Sequence, residues 1–320
     1  MLDLLFLFVG IAMLTLGGEA LIKGSLATAN RLKVSPLLSG LVIVGFGTSS
    51  PELVVSVNAA LEGQPDIAIG NVVGSNIGNI LLILGLCAVI TPLVVKPLAL
   101  RRDAVTMVAA SALFPILVGG SALGHGDGVL FLTLLIAYLV WAYWSEKYQA
   151  APSAELHQAE AEEVSIGNKS TLWTVTAVSL GLVLLIAGSQ VLLIGATGIA
   201  SYFEVPESVI GLTLVAVGTS LPELSISVIA AIRKHADVAV GNILGSNIFN
   251  LLGILGLSAL LQPLPVHQRI LQFDQWVMLG TSILLLFLLL SGHRLNRAEG
   301  AMLLIGYCVY IWLSFSIFGG

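Results

Sequence analysis

Two glutamates stand at the same place in two copies of one short motif. Glu52 lies in GTSSPEL at 47–53, and Glu223 lies in GTSLPEL at 218–224. Each acid falls in the middle of a long apolar run, and an ionised carboxylate is costly there if the run spans a bilayer. No Lys or Arg stands at comparable depth in any apolar run, which disfavours an internal salt bridge. The missing positive charge must therefore come from a transported ion or from a proton.

A proline precedes each of these acids. Pro51 and Pro222 have no backbone N–H, so each leaves the carbonyl four residues earlier without its helical partner. Within a membrane, polar neighbours or a bound ion can satisfy such a carbonyl. The prolines alone indicate only a kink, but a carboxylate beside the kink in both copies favours an ion site. The small residues that leave room for an ion are Gly45, Gly47, Thr48 and Ser49 in the first copy, and Ala216, Gly218, Thr219 and Ser220 in the second.

Helical spacing brings further oxygen atoms to these acids. Thr48 and Ser49 precede Glu52 by four and three residues and therefore share its helix face. The polar stripes of the following spans are Asn71, Ser75 and Asn79 in the first copy, and Asn242, Ser246 and Asn250 in the second. Polar residues at such spacing often only join helices, and we interpret Asn76 and Asn247 in that way.

The available ligands indicate which cation the site would hold. Carboxylate, amide, hydroxyl and backbone oxygens are the hard ligands that calcium prefers, about six to eight at a time. No soft ligand accompanies them, which argues against copper or zinc. Cys87 and Cys308 both lie inside apolar runs without metal-ligand spacing, so neither a disulfide framework nor a zinc site is expected.

The motifs belong to a longer internal repeat. Residues 47–86 align without a gap onto 218–257 at a constant offset of 171, with twenty-four identities among forty positions. Each half then holds five spans, and an odd number makes the second half enter the membrane from the opposite side. Secondary transporters are often built from such inverted repeats, with their binding sites near the midplane.

The composition of the chain indicates that the helices carrying these residues lie in a membrane. Hydrophobic residues make up 57% of the chain and charged residues only 10%, against about 25% charged in soluble proteins. The net charge of −5 is not that of a nucleic-acid-binding protein. We predict an all-α integral membrane protein with ten transmembrane helices arranged as two inverted-topology five-helix repeats. The ten runs are 3–22, 36–61, 67–91, 102–120, 128–146, 172–197, 206–231, 238–261, 271–291 and 299–318.

Basic residues set the orientation of these spans. Twelve of the thirteen Lys and Arg residues fall in gaps that follow odd-numbered spans, and only Arg269 falls in the other set. Since basic loops face the cytoplasm, both termini are predicted outside. Residues 3–22 lack a basic n-region and a cleavage site, so we predict a retained span rather than a signal peptide.

An acidic segment separates the two repeats. It covers 149–170, between a first repeat at 1–148 and a second at 171–320, and we predict a solvated cytoplasmic linker there. Its acids are Glu155, Glu160, Glu162 and Glu163. The segment is too short for a folded calcium sensor and lacks the spacing of a calcium-binding loop.

The paired GTSxPE motifs, with GNVVGSN and GNILGSN after them, resemble the calcium/cation antiporter superfamily and in particular its prokaryotic sodium/calcium exchanger branch. The resemblance implies a secondary active antiporter rather than an enzyme, without a cofactor, in a bacterial inner membrane. Calcium, sodium and the lipid bilayer would be its partners, with no nucleic acid and no obligatory protein partner. It also implies that spans 1 and 6 slide as a pair across the core.

The resemblance implies a role for each matching residue. Glu52 and Glu223 would bind calcium and also serve sodium. The further ligands would be Thr48, Ser49, Ser75 and Asn79 from the first half, and Thr219, Ser220, Ser246 and Asn250 from the second. Relatives carry an Asp where Asn250 stands, so this chain would have two acids in its central site instead of three. That difference leaves the sodium stoichiometry open.

Three alternatives remain open at this point. A proton-coupled calcium antiporter is the nearest, although such relatives usually carry an acid within the GNVVGSN and GNILGSN segments. An intramembrane hydrolase would need a paired Asp or a Ser/His dyad inside spans, whereas all five His fall in loops or at span ends. A passive channel would carry calcium without any counter-ion gradient. Glu19, four residues before Lys23, is predicted to form a local ion pair rather than to bind an ion.

Overall fold

The computed structural model describes residues 2–94, 97–120, 122–163, 170–202, 216–292 and 294–318, and most of them are helical. The helices are α1 (Leu2–Leu32), α2 (Pro36–Thr48), α3 (Ser50–Leu61), α4 (Pro65–Ile90), α5 (Pro97–Leu117), α6 (His125–Glu163), α7 (Thr171–Tyr202), α8 (Ala216–Thr219), α9 (Leu221–Ile232), α10 (Ala236–Leu261), α11 (Gln275–Gly292) and α12 (Arg297–Phe318). At an offset of 171, α2 and α3 correspond to α8 and α9, and α4 corresponds to α10.

The helices confirm an α-helical membrane protein. Within the described ranges, six helical stretches are long and apolar enough to cross a membrane, and the bent pair of α2 and α3 makes a seventh. The six lie in α1, α4, α6, α7, α10 and the stretch Ile270–Ser291. The predicted start of the seventh run at 206 lies outside the described residues. The count of ten spans therefore stays a prediction.

Glycines bring α1 and α7 into close contact. A Cβ on Gly17 would lie 2.9 Å from the carbonyl oxygen of Gly181, and one on Gly181 would lie 2.7 Å from the backbone nitrogen of Leu21. Three of the glycines on each helix that face the opposite helix are spaced by seven residues, at Gly10, Gly17 and Gly24 on α1 and at Gly181, Gly188 and Gly195 on α7. Small residues at this spacing let two helix backbones approach within a membrane. The first helix of each half therefore packs against its counterpart.

Four short strands join the loops of the two halves. β1 (Leu93–Val94) pairs with β4 (Arg294–Leu295), and β2 (Ala122–Leu123) pairs with β3 (Leu264–Pro265), both antiparallel. Two-residue strands carry no periodic pattern, so the sequence did not predict them. Each pairing satisfies backbone groups in a loop of one half with those of the other half.

Two helices continue beyond their predicted ends. α1 runs to Leu32 instead of ending at 22. Lys23 therefore lies within the helix, one turn after Glu19, and the two side chains pair at 3.5 Å. The predicted local pair is confirmed, and Arg233 also contacts Glu19. α6 runs to Glu163, so the acidic segment begins as a continuation of that helix.

Candidate cation site

Two helix breaks position the acids. α2 and α3 meet at an angle of 47°, and the break lies at Ser49, whose ψ of 9° leaves the helical range. Ser220 takes a similar conformation, with ψ of 6°, between α8 and α9. Pro51 and Pro222 lie in the first turn of the helix that follows, where a missing N–H costs no hydrogen bond. The predicted interruption is thus present in both halves.

Each acid lies in the first turn of the new helix. Glu52 is in the first turn of α3 and Glu223 in the first turn of α9, and both are only 1% exposed. The N-terminus of a helix carries a partial positive charge that stabilises a nearby carboxylate. The breaks therefore place both carboxylates where the backbone helps to hold a negative charge.

Serines from opposite halves connect the two acids. Ser220 Oγ donates to Glu52 Oε1 at 2.9 Å, and Ser49 Oγ donates to Glu223 Oε1 at 2.9 Å. The side chain of Thr219 also contacts the Glu52 carboxylate. Because each acid receives its hydrogen bond from the other half, the two motifs form one shared site.

The remaining predicted hydroxyls lie around this centre. Ser75 and Ser220 share a hydrogen bond of 3.4 Å between their Oγ atoms. The Gly45 carbonyl accepts from Ser246 Oγ at 3.1 Å and from Thr48 Oγ1 at 3.4 Å. A Cβ on Gly45 would lie 2.9 Å from Ser246 N, so this glycine lets α2 and α10 approach closely. Ala216 begins α8, and its side chain lies outside the described part of the structure.

A serine hydroxyl bonds to the carbonyl that precedes the proline by four residues in the first half. The Gly47 carbonyl, four residues before Pro51, accepts from Ser50 Oγ at 2.8 Å. This hydroxyl is one of the two kinds of partner expected for that carbonyl, a polar neighbour or a bound ion. Leu221 stands at the position corresponding to Ser50, so the second half lacks this hydroxyl.

The polar stripes fix the acid-bearing helices. Asn71 Nδ2 donates to Ser56 Oγ at 3.0 Å, and Asn242 Nδ2 donates to Ser227 Oγ at 2.8 Å. These bonds hold α3 against α4 and α9 against α10. Sequence reasoning missed both serines, although each lies four residues after its acid and the two correspond in the repeat.

Four buried oxygen atoms of the predicted ligands have no hydrogen-bond partner among the described residues. They are Glu52 Oε2, Glu223 Oε2, Asn79 Oδ1 and Asn250 Oδ1. Buried polar atoms are normally partnered, and leaving one without a partner is costly. Within the same ranges, no three His, Cys, Asp or Glu side chains cluster, so the centre combines two acids with neutral oxygens. Such oxygens suit a hard cation.

Asn76 and Asn247 join the two halves, as the sequence predicted. Asn76 Nδ2 donates to the Asn247 carbonyl at 3.2 Å, and Asn247 Nδ2 donates to the Asn76 carbonyl at 3.3 Å. Their positions differ by the repeat offset of 171. The pair is therefore reciprocal, as a two-fold relation between the halves requires.

Comparisons with known proteins match both halves. The family model described as sodium/calcium exchanger protein covers residues 2–144 and 173–316. Inner membrane protein YrbG of Escherichia coli is 34% identical, with 96% of each chain covered. Sodium/calcium exchanger MaX1 of Methanosarcina acetivorans is 32% identical, with 98% of this chain and 99% of that one covered. A solved structure of the sodium-calcium exchanger NCX_Mj, soaked with zero Na⁺ and Ca²⁺, has a TM-score of 0.82 at 30% identity, covering 97% of this chain and 98% of that one.

Proposed function

The chain belongs to the sodium/calcium exchanger protein family and is a membrane exchanger of cations, and we propose that it exchanges calcium for sodium. The resemblance predicted from the two motifs is thereby confirmed. The observation that carries the proposal is the set of four buried ligand oxygens, two of them from carboxylates, that have no hydrogen-bond partner in the described part of the chain. A bound cation would complete their coordination.

Charge balance supports exchange rather than leak. Glu52 and Glu223 repel each other when both are ionised in a buried site without a cation. One calcium ion neutralises the pair, and so do sodium ions. Without a bound cation, the protein would change slowly between its outward-facing and inward-facing states, because two unbalanced negative charges would then lie in a low-dielectric region. Each ion would then cross in return for another.

The proposed ligands come from both halves of the chain. We assign to the site Glu52, Glu223, Asn79, Asn250, Thr48, Ser49, Thr219, Ser220, Ser75, Ser246, Gly45 and Ala216. Support comes from the reciprocal serine bonds to the acids, 2.9 Å in each direction, which draw ligands from both halves to one centre. Calcium needs about six to eight oxygen ligands, which this set exceeds.

Alternating access would use the symmetry of the halves. We infer ten spans in two inverted repeats, with α1 and α7 moving together across the site. The two-fold relation of the asparagine pair and the close packing of α1 on α7 support this arrangement. An inner membrane location with both termini outside and the acidic segment in the cytoplasm accords with the basic residues.

Calcium flux into proteoliposomes tests the coupling ion. The full chain is reconstituted with sodium inside, and ⁴⁵Ca²⁺ uptake is followed after dilution into sodium-free buffer with the voltage clamped by valinomycin and potassium. We expect uptake to require the sodium gradient. Uptake driven only by a proton gradient would replace sodium by protons as the coupling ion. Uptake with neither gradient would indicate a channel.

A further inference from the structure

Four asparagines form a closed network at the interface of the halves. Asn79 Nδ2 donates to Asn247 Oδ1 at 2.9 Å, and Asn250 Nδ2 donates to Asn76 Oδ1 at 3.0 Å. Asn76 and Asn247 in turn donate to each other's backbone carbonyls. All four side chains are at most 1% exposed, so water does not compete for these bonds.

The network decides which end of two amides lies at the centre of the site. An asparagine amide has one oxygen that accepts and one NH₂ that donates, and only the oxygen can bind a cation. In both Asn79 and Asn250, the NH₂ is bonded to a network asparagine, and the oxygen has no partner among the residues that the structure describes. A reversed amide would turn its NH₂ toward the cation and its oxygen toward the oxygen of Asn247 or Asn76.

We propose that Asn76 and Asn247 are positioning residues that hold the amide oxygens of Asn250 and Asn79 toward the transported cation. The inference rests on the proposed function, because it takes Asn79 and Asn250 as ligands. The pairing crosses between the halves, since Asn76 of the first half orients Asn250 of the second, and Asn247 orients Asn79. Each half thus fixes a ligand of the other.

This chain has a specific need for such orientation. A carboxylate has two equivalent oxygens and presents one whichever way it turns, whereas an amide presents an oxygen in only one of its two orientations. With Asn at both 79 and 250, two neutral ligands depend on their orientation. Groups that orient metal ligands typically change metal affinity about 10–100-fold when they are removed.

Calcium binding to the purified full chain in detergent tests the proposal without requiring transport. We expect Asn76→Ala and Asn247→Ala each to weaken ⁴⁵Ca²⁺ binding about tenfold. The matched control is Ser111→Ala. Ser111 Oγ shares a buried bond of 3.0 Å with Ser282 Oγ, which also joins the halves at an offset of 171. The control should bind calcium as the wild type does, with a comparable change in melting temperature.

Two double variants distinguish a role in orienting the ligand from a general loss of packing. In Asn250→Asp, the side chain no longer needs orienting, so adding Asn76→Ala should change affinity less than twofold or raise it. In Asn79→Asp, the same Asn76→Ala change should still cost about tenfold, because Asn76 Oδ1 bonds to Asn250 and not to Asn79. A merely structural role would give equal losses in both backgrounds and would overturn the proposal.

The outcomes distinguish this inference from the proposed function. If the wild type binds no calcium, the proposed function fails. If the wild type binds calcium and a folded Asn76→Ala variant binds within twofold of it, only the positioning role fails. Should Asn76→Ala not fold, Asn76→Leu, similar in shape but without the acceptor, tests the same contact, and Asn247→Ala tests the corresponding contact of Asn79.

Discussion

Glu52 and Glu223 share a feature that sets them apart from the other buried acids. Asp103 has Arg102 at 2.5 Å and Asp274 has Arg269 at 3.0 Å, whereas the two glutamates have neutral donors, such as serine hydroxyls, and no cationic partner within the ranges that the structure describes. A buried carboxylate with a cationic partner is already balanced. The two glutamates have no such partner among the described residues, which accords with the proposed cation site.

Replacing either glutamate by its neutral isostere tests that reading. We expect Glu52→Gln and Glu223→Gln each to lower calcium transport at least about a hundredfold, because one remaining charge cannot neutralise a divalent ion at membrane depth. Initial rates of ⁴⁵Ca²⁺ uptake provide the measurement. Glu62→Gln, an exposed change ten residues along, is the control and should transport normally. Robust uptake by either site variant, with normal insertion, would refute the assignment.

A substitution at Asn250 tests how calcium binding depends on the negative charge of the proposed site. Introducing a third acid by Asn250→Asp adds attraction for calcium within a few ångströms in a weakly screened region. We expect calcium affinity to rise by roughly tenfold or more, and to fall again at acidic pH as the new carboxyl is protonated. Calcium titrations between pH 5.5 and 8 measure both effects. An unchanged affinity across that range would place this side chain outside the site.

The acids and hydroxyls of the proposed site could be selected from the sequence because the repeat carries each of them twice. The sequence did not predict the roles of Ser56 and Ser227, which depend on contacts between neighbouring helices. The orienting bonds of Asn76 and Asn247 run from one half to the other. Spacing along one copy predicts which residues share a helix face, but not which side chain of the other copy lies opposite.

Among the helices, α1 and α7 depend most visibly on small residues. A side chain at Gly17 would meet backbone atoms of Gly181 and Leu185, which cannot move aside as a side chain can. We expect Gly17→Ala to destabilise the protein by about 1–3 kcal/mol, as overpacking does, and to slow transport. Thermal unfolding in detergent measures the first effect. Gly280→Ala, where a Cβ would meet no described atom within 4 Å, is the matched control.

One result for Gly17→Ala would contradict the close packing of α1 on α7. If it melts at the temperature of the Gly280→Ala control, the two helices do not approach each other as closely as the structure has them. The glycines spaced by seven residues can be seen in the sequence, but their role in close packing follows only from the contact of α1 with α7. Helices 171 residues apart become neighbours only through the fold of the whole chain, so the pattern alone did not predict the contact.

The start of α10 carries a pH-sensitive group outside the membrane-spanning segments. Burial lowers the pKa of His235 below its usual 6.5, and the positive charge of Arg233 lowers this pKa further. The unfolded chain therefore binds more protons than the folded chain below about pH 6.5, and stability falls as pH falls through the folded pKa. The first half has Gln64 at the corresponding position.

His235→Gln gives the second half the residue of the first and removes this titration. We expect the variant to lose less melting temperature than the wild type between pH 7.5 and pH 5, because its neutral side chain never has to accept a proton in a partly buried place. Unfolding curves at both pH values provide the comparison. Equal losses in the two proteins would show that His235 contributes nothing to the acid sensitivity.

Across the whole molecule, the loops sort into two groups. The loop after α4 pairs with the loop after α11, and the loop after α5 pairs with the loop after α10. By sequence, the first group contains the basic residues Lys96 and Arg294, whereas the only Lys or Arg in the sequence of the second group is Arg269. The strand pairs thus agree with the division that the basic residues predict. Composition alone predicted the two groups, but not that the loops of one group bond to each other.

The turns at 62–64 and 233–235 offer a test of the inverted arrangement. They correspond at the offset of 171, and each contains one residue with positive φ, Gly63 at 73° and Lys234 at 63°. The two turns have the same local structure, yet inverted halves must place them on opposite membrane faces. In a background with both native cysteines replaced by alanine, we expect a membrane-impermeant maleimide to label Glu62→Cys in intact cells.

Arg233→Cys, the corresponding substitution, should be labelled only in inside-out vesicles, because the basic turn is predicted to face the cytoplasm. Both positions are exposed, so the difference in labelling would reflect the side of the membrane and not local access. Labelling of both turns from the same side would exclude inverted repeats, since parallel halves would place corresponding turns together. Labelling with the two sides exchanged would keep the inverted repeats and reverse only the orientation of the chain.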